Sequence, residues 1–313
     1  MSVGELPANA AVLGAGTIGL SAGILLAAHG VPVTLVTRRA QAAAEAPGAV
    51  ALRLARLTEL GAFTRGQAQV AREHLSVGVG LPHGESFALI LEAVGEQLAH
   101  KRAVLAAAEP SLAADGVLAT TTSSLPLAEL ASALTAPERF AAWHFFHPAD
   151  LMSLVEIVPG EHTTPAVLAL MRAWSERLGC RPIVLRHDVP GFVANRLQYA
   201  LLREAYALVE AGVCGLHDVD TAVTAGLGAR WAALGPFETM DLAGLEVHAA
   251  VASALFPLLC DAAQPPAKLT RVRASGAGGA RAGAGLLGDY PPARVRELET
   301  RRDETLIALR GHG

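Results

Sequence analysis

The sequence predicts an α/β domain with a doubly wound, mostly parallel sheet, followed by an all-α domain. Three observations carry that reading. Apolar, β-branched strand segments alternate with helical segments from residue 10 to residue 185. A Gly-x-Gly-x-x-Gly turn separates the first strand from the first helix. Past Pro190 the strand pattern stops, and apolar residues recur only at helical spacing. Such alternation predicts parallel strands with helices on both faces. The domains are therefore placed at 1–189 and 190–313.

In order along the chain, Ala10–Leu13 is a short apolar run, and a helix over 20–29, closed by Gly30, follows the glycine turn. The β-branched run 33–36 is the second strand, completing one βαβ unit. Spacing predicts helices at 49–60 and 65–74, a buried strand at 88–94, a helix at 97–108 and a strand at 117–120. A helix at 125–134, strands at 140–146 and 154–158, a helix at 165–178 and a strand at 183–185 complete the first domain. Helices are expected at 192–212, 216–225, 235–256 and 293–309 in the second. The Gly-, Ala- and Arg-rich stretch 274–288 reads as a mobile loop.

At 313 residues the chain is long enough for two cores, and its hydrophobic fraction of 52% excludes a disordered protein. A net charge of −4 gives nucleic acid nothing to bind. Cys180, Cys214 and Cys260 are scattered, with no Cys-x-x-Cys, which argues against a disulfide framework or a metal site and fits a reducing, cytoplasmic setting. Met1–Asn9 lacks a basic leader, so no signal peptide is expected. The apolar stretch 10–28 has bilayer length, but its glycines fall at dinucleotide spacing and a strand follows at once, so no membrane span is expected. Lys101 and Lys268 are the only lysines, which limits lysine as an acid–base.

Gly14 and Gly16 allow a tight turn and close approach of a pyrophosphate, and Gly19 allows helix and strand to pack. Thr17 and Ile18 open the helix whose free N–H groups face the anion. The second strand ends in Thr37-Arg38-Arg39 where NAD enzymes usually carry an acidic residue. A hydroxyl and two guanidiniums suit a 2′-phosphate, so NADP(H) is favoured, with NAD(H) the alternative.

His144 ends a strand, and Glu156 follows twelve positions later inside an apolar strand. A carboxylate there needs a partner. The two read either as an acid–base dyad or as a structural ion pair. Thr120-Thr-Thr-Ser-Ser124 follows a strand and caps a helix or meets a ligand. Asn195, early in an apolar helix, reads equally as an interhelical bond or a ligand donor.

Taken together, these residues resemble the 3-hydroxyacyl-CoA dehydrogenase superfamily. Gly14–Gly19, Glu92-Ala-Val, Thr122-Ser-Ser, His144-Phe-Phe-His-Pro148, Leu154-Val-Glu-Ile-Val158, Pro190-Gly-Phe-Val-Ala-Asn-Arg196 and Leu234-Gly-Pro-Phe-Glu-Thr-Met-Asp-Leu-Ala-Gly244 stand in the family's order. The resemblance implies a Rossmann domain followed by a helical substrate and dimerisation domain. It implies His144 as acid–base, Glu156 as its partner, Ser123 and Asn195 on the substrate oxygen, and Glu92 and Lys101 lining the cofactor site. The segment Gly226–Ala232 looks closer to the lambda-crystallin, gulonate and carnitine dehydrogenase branch, and stand-alone polyketide ketoreductases are also similar. Thr37 replaces the family's acidic residue, which points to NADP(H), and Thr121 and His147 replace two of its asparagines, which puts an ordinary acyl-CoA substrate in doubt.

The expectation is an NAD(P)H-dependent oxidoreductase interconverting a 3-keto and a 3-hydroxy group on an acyl or carboxylate substrate, free or carried by CoA or acyl carrier protein, in a homodimer. The rivals are a β-hydroxyacid dehydrogenase or imine reductase, and a non-catalytic crystallin-like dinucleotide binder. The former class uses a lysine early in its helical domain, where this chain has none.

Overall fold

The computed structural model describes residues 4–310. Residues 1–3, part of the leader-free N-terminus expected above, and residues 311–313 lie outside the described residues. The chain divides into two compact units, Met1–Val193 with Asp303–Gly313, and Ala194–Arg302.

The first unit opens with β1 (Ala10–Leu13), α1 (Thr17–Ala28) and β2 (Val33–Thr37). Next come α2 (Ala40–Glu59), α3 (Arg65–His74), β3 (Leu75–Val79), β4 (Phe87–Glu92) and α4 (Leu98–Ala108). Then follow β5 (Leu112–Thr120), α5 (Leu127–Ala131), β6 (Phe140–Phe145), β7 (Leu154–Pro159), α6 (Pro165–Arg177) and β8 (Arg181–Val184). The strands form one sheet in the order β3-β2-β1-β4-β5-β6-β7-β8, parallel throughout except for β6 against β7. Strand order reverses between β1 and β4, where open α/β sheets bind ligands at the strands' carboxyl ends.

Central strands are buried on both faces, so β1 and β4, up to its last residue Glu92, are apolar runs rather than alternating ones. Alternate residues feed two cores. Val12, Leu35, Leu91, Trp143 and Ile157 fill one, while Leu13, Ile90, Leu118, Ala142 and Val158 fill the other. The same alternation sends Glu92, Thr120 and His144 to the second face, at the carboxyl ends of three neighbouring strands.

Several boundaries differ from the sequence reading for identifiable reasons. The α2 helix starts at Ala40, nine residues early, because its alanine-rich first turns carry it past Pro47. The edge strand β3 was not expected. Its Leu-Ser-Val-Gly-Val sequence pairs with β2 on one side and stays half exposed, without a buried apolar pattern. The sheet strand expected at 117–120 begins at Leu112. The C-terminal end, placed in the second domain by sequence, belongs with the first unit from Asp303 onward. Leu306 and Ile307 pack on the first core, Arg53 forks onto Asp150 at 2.6 and 2.8 Å, and it bonds Asp303 at 3.0 Å.

The second unit contains α7 (Ala194–Glu210), α8 (Leu216–Thr221), a π-helical turn at Ala222–Leu227, α9 (Gly228–Ala233), α10 (Pro236–Ala243), α11 (Leu245–Leu255) and α12 (Ala267–Ala274). A small antiparallel hairpin, β9 (Ala284–Gly285) with β10 (Gly288–Asp289), precedes α13 (Pro292–Arg310), which runs on into the first unit. The helix expected over 235–256 is broken at Gly244, whose φ of 99° no helix admits, and its halves meet at 115°. The stretch expected as a mobile loop carries the hairpin, with Gly279, Gly283 and Gly288 at positive φ. Among the described residues no single helix is long and apolar enough to cross a membrane.

Candidate active site

The glycine turn is built as a cradle. Gly14 has φ of 117°, donates its N–H to Val36 O at 2.8 Å, and would place a Cβ 2.6 Å from Ala93 O. A Cβ at Gly19 would lie 1.9 Å from Gly14 O, so only glycine lets α1 leave this turn. Gly16 faces open space, with nothing within 4 Å of its Cβ position, and no side chain caps α1. Uncapped N–H groups beside an open glycine fit a dinucleotide pyrophosphate. Thr17 and Ile18 form the first turn of α1.

At the end of β2, Thr37 is buried, and its hydroxyl lies 3.2 Å from both Arg39 O and Gly78 O. Arg38 and Arg39 are exposed, and neither is tied to a carboxylate among the described residues.

Glu92 and Lys101, expected to line the cofactor site, are buried at 0% and 1% exposure. Lys101 Nζ donates to both Glu92 oxygens at 2.8 and 3.0 Å, and Thr120 Oγ1 and Val94 N complete the carboxylate's shell at 2.6 and 2.7 Å. A buried ion pair satisfied on every side is a rigid support at the end of β4.

The acid–base candidates converge through strand register. His144 and Glu156 stand directly opposite each other in the antiparallel β6–β7 pair, so both side chains emerge on the same face. His144 Nδ1 donates to Glu156 Oε2 at 2.7 Å. Val193 N donates to the other Glu156 oxygen at 2.9 Å. This bond leaves Nε2 as the working nitrogen, and Ser123 Oγ lies 3.0 Å from it. Phe146 and Phe192 close edge-on around the imidazole, with centroids 4.8 and 5.3 Å away. Phe192 holds φ of 52°, a left-handed position uncommon outside glycine, which seats its ring in the core beside His144. His147 is exposed. Asn195 is the second residue of α7 in the other unit.

Sequence reasoning missed Glu96. Its Oε1 accepts from Thr122 Oγ1 at 2.6 Å, Ser123 N at 2.9 Å, Ser124 N at 3.1 Å and Ser124 Oγ at 3.2 Å. Burial raises the Glu96 carboxyl's pKa. The bonds from Thr122 and Ser123, with the Lys101 charge 3.4 Å away, outweigh it and hold the group below the usual carboxylate range. Its position just past β4, among the carboxyl ends of the strands, was the available signal.

A serine, histidine and carboxylate in a hydrogen-bonded line also describe a hydrolase nucleophile. Acyl transfer further needs free donors for an oxyanion. Here the N–H groups of Ser123 and Ser124 are both taken by a carboxylate. The arrangement suits proton transfer to or from a bound oxygen.

Residues 9–189 match the 3-hydroxyacyl-CoA dehydrogenase NAD-binding domain, and residues 191–288 match the 3-hydroxyacyl-CoA dehydrogenase C-terminal domain. A 5-formyl-3-hydroxy-2-methylpyridine 4-carboxylate 5-dehydrogenase from Mesorhizobium japonicum is 33% identical over 222 residues, 71% of this chain and 72% of the relative. An L-carnitine dehydrogenase from Streptomyces coelicolor is 39% identical over 157 residues, half of this chain and 49% of the relative. Among solved structures, a 5-formyl-3-hydroxy-2-methylpyridine 4-carboxylic acid 5-dehydrogenase, described as an NAD+ dependent dismutase, aligns over 97% of each chain with a TM-score of 0.87 and 30% identity.

Proposed function

The chain belongs to the 3-hydroxyacyl-CoA dehydrogenase family, and on that premise we propose that it interconverts a 3-keto and a 3-hydroxy group on a small carboxylate or acyl substrate, with His144 as acid–base. It is an NAD(P)-dependent oxidoreductase acting on a keto- or hydroxyl-bearing substrate. The observation that carries the finer reading is the line Ser123 Oγ, His144 Nε2, His144 Nδ1, Glu156, with steps of 3.0 and 2.7 Å. When bound, the nicotinamide supplies or takes the hydride. In reduction, Ser123 holds the carbonyl oxygen, His144 gives its Nε2 proton to that oxygen, and Glu156 stabilises the charged imidazole beforehand. In oxidation, neutral His144 takes the hydroxyl proton.

The names of two relatives point to carboxylates without a CoA carrier, a pyridine carboxylate and carnitine. The family's asparagine positions held here by Thr121 and His147 point the same way. A carboxylate substrate is therefore favoured over an ordinary acyl-CoA or carrier-protein thioester.

The test is a steady-state assay of a His144→Gln chain in both directions, which should lose reduction and oxidation together because one group gives the proton in one direction and takes it in the other. Parent-like turnover in either direction would rule out His144 as the acid–base.

A homodimer completes the reading. From Ala194 to Arg302 no residue is buried, while Phe237, Leu242, Phe256 and Leu258 are between 72% and 80% exposed. A helical unit without a core of its own needs a second copy. Sedimentation should give twice the chain mass, and the unfolding midpoint should rise with protein concentration. A concentration-independent midpoint with monomeric sedimentation would exclude the dimer.

A further inference from the structure

The chemistry proposed above leaves the Glu96 carboxylate unused. We propose that Glu96 is a positioning residue for the reaction, fixing the turn that aims the Ser123 hydroxyl at His144; this rests on the roles given above to Ser123 and His144.

The turn has no ladder of its own. β5 ends at Thr120 and α5 begins at Leu127, so the N–H groups of Ser123 and Ser124 have no strand or helix partner. One oxygen, Glu96 Oε1, accepts both of them together with the hydroxyls of Thr122 and Ser124. Successive backbone N–H groups converging on an anion form a nest whose geometry the anion sets. With its backbone pinned on one side, Ser123 turns its own hydroxyl to His144 Nε2.

Glu96 is itself anchored. Its second oxygen lies 3.4 Å from Lys101 Nζ, and Lys101 is gripped by buried Glu92 at the end of β4. Thr120, the last residue of β5, donates to the same Glu92 and accepts from Thr122 N, so one polar network joins the β4 end, α4 and the β5 end of the turn. A network satisfied throughout is stiff, and stiffness is what an oriented hydroxyl requires.

The experiment is a double-mutant cycle on the full chain, using 3-ketobutyrate and 3-ketobutyryl-CoA as probes, paired with crystal structures of the variants. E96A should lower kcat about as much as S123A does, roughly 10²-fold, with dinucleotide affinity unchanged. The S123A/E96A chain should be within about twofold of S123A alone, because Glu96 acts through Ser123. In crystals of E96A, Ser123 Oγ should lie beyond about 3.5 Å from His144 Nε2. Should E96A fail to fold, E96Q replaces it in the cycle, and its loss should vanish on the S123A background. Additive losses, or a Ser123 hydroxyl still bonded to His144 without Glu96, would overturn the proposal. If neither probe turns over, the substrate reading fails while the crystallographic comparison still decides the role of Glu96.

Discussion

Replacing His144 with alanine should lower kcat by about 10²–10⁴-fold, the range for loss of a general acid–base, while dinucleotide affinity stays close to that of the parent. The separation follows from location. The pyrophosphate cradle lies in the turn between β1 and α1, whereas His144 belongs to β6, three strands along in the sheet. Glu156→Gln should slow turnover as well. The carboxylate is wholly buried, accepts from His144 and from Val193 N, and supplies the negative charge that stabilises the imidazolium. An amide keeps an oxygen acceptor but not that charge, so the loss should fall mainly on kcat. Steady-state kinetics with separate measurement of cofactor binding checks both. Near-parent turnover in His144→Ala, with the fold intact by thermal melting, would end the acid–base assignment.

The His144–Glu156 pairing was legible in the sequence because it depends on one local event. Two apolar strands close in sequence form an antiparallel pair, and a carboxylate inside the second needs a partner from the first. The glycine cradle was legible for the same reason, since Gly14, Gly16 and Gly19 answer steric demands set within one βα turn. What stayed hidden depends on chain segments brought together from a distance. Glu96 meets Ser123 and Ser124 across 27 and 28 residues, and nothing in either segment alone names the other. Glu92 and Lys101 stood out as polar residues near the site, but their burial against each other is something that sequence spacing does not report. Gly244 looked tolerable inside an apolar helical pattern until its positive φ divided α10 from α11. The return of Asp303–Arg310 to the first unit was likewise unreadable, because Arg53, Asp150 and Asp303 are each ordinary surface residue types until folding buries the two carboxylates against one guanidinium.

The kcat/KM for NADPH should exceed that for NADH by at least about tenfold, since roughly 1.4 kcal/mol of differential binding suffices. Arg38 and Arg39 carry this expectation. Both are exposed at the carboxyl end of β2, with no carboxylate partner among the described residues, and a 2′-phosphate would give them charge-assisted bonds. Thr37 contributes less than its sequence position suggested, because its buried hydroxyl is directed at Arg39 O and Gly78 O. The similar structure described as NAD+ dependent does not decide the matter, because the choice depends on residues at this strand end. Substituting both arginines by alanine should bring the two cofactors to about parity by removing the phosphate's partners. Adding Thr37→Asp should then reverse the order, because a carboxylate accepts the ribose 2′-hydroxyl and repels a phosphate. From parent to triple variant the specificity ratio should move by about 10²-fold, or about 2.8 kcal/mol. Equal efficiency in the unaltered chain, or an R38A/R39A chain that keeps its NADPH preference, would show that both guanidiniums point into solvent and that cofactor choice is made elsewhere.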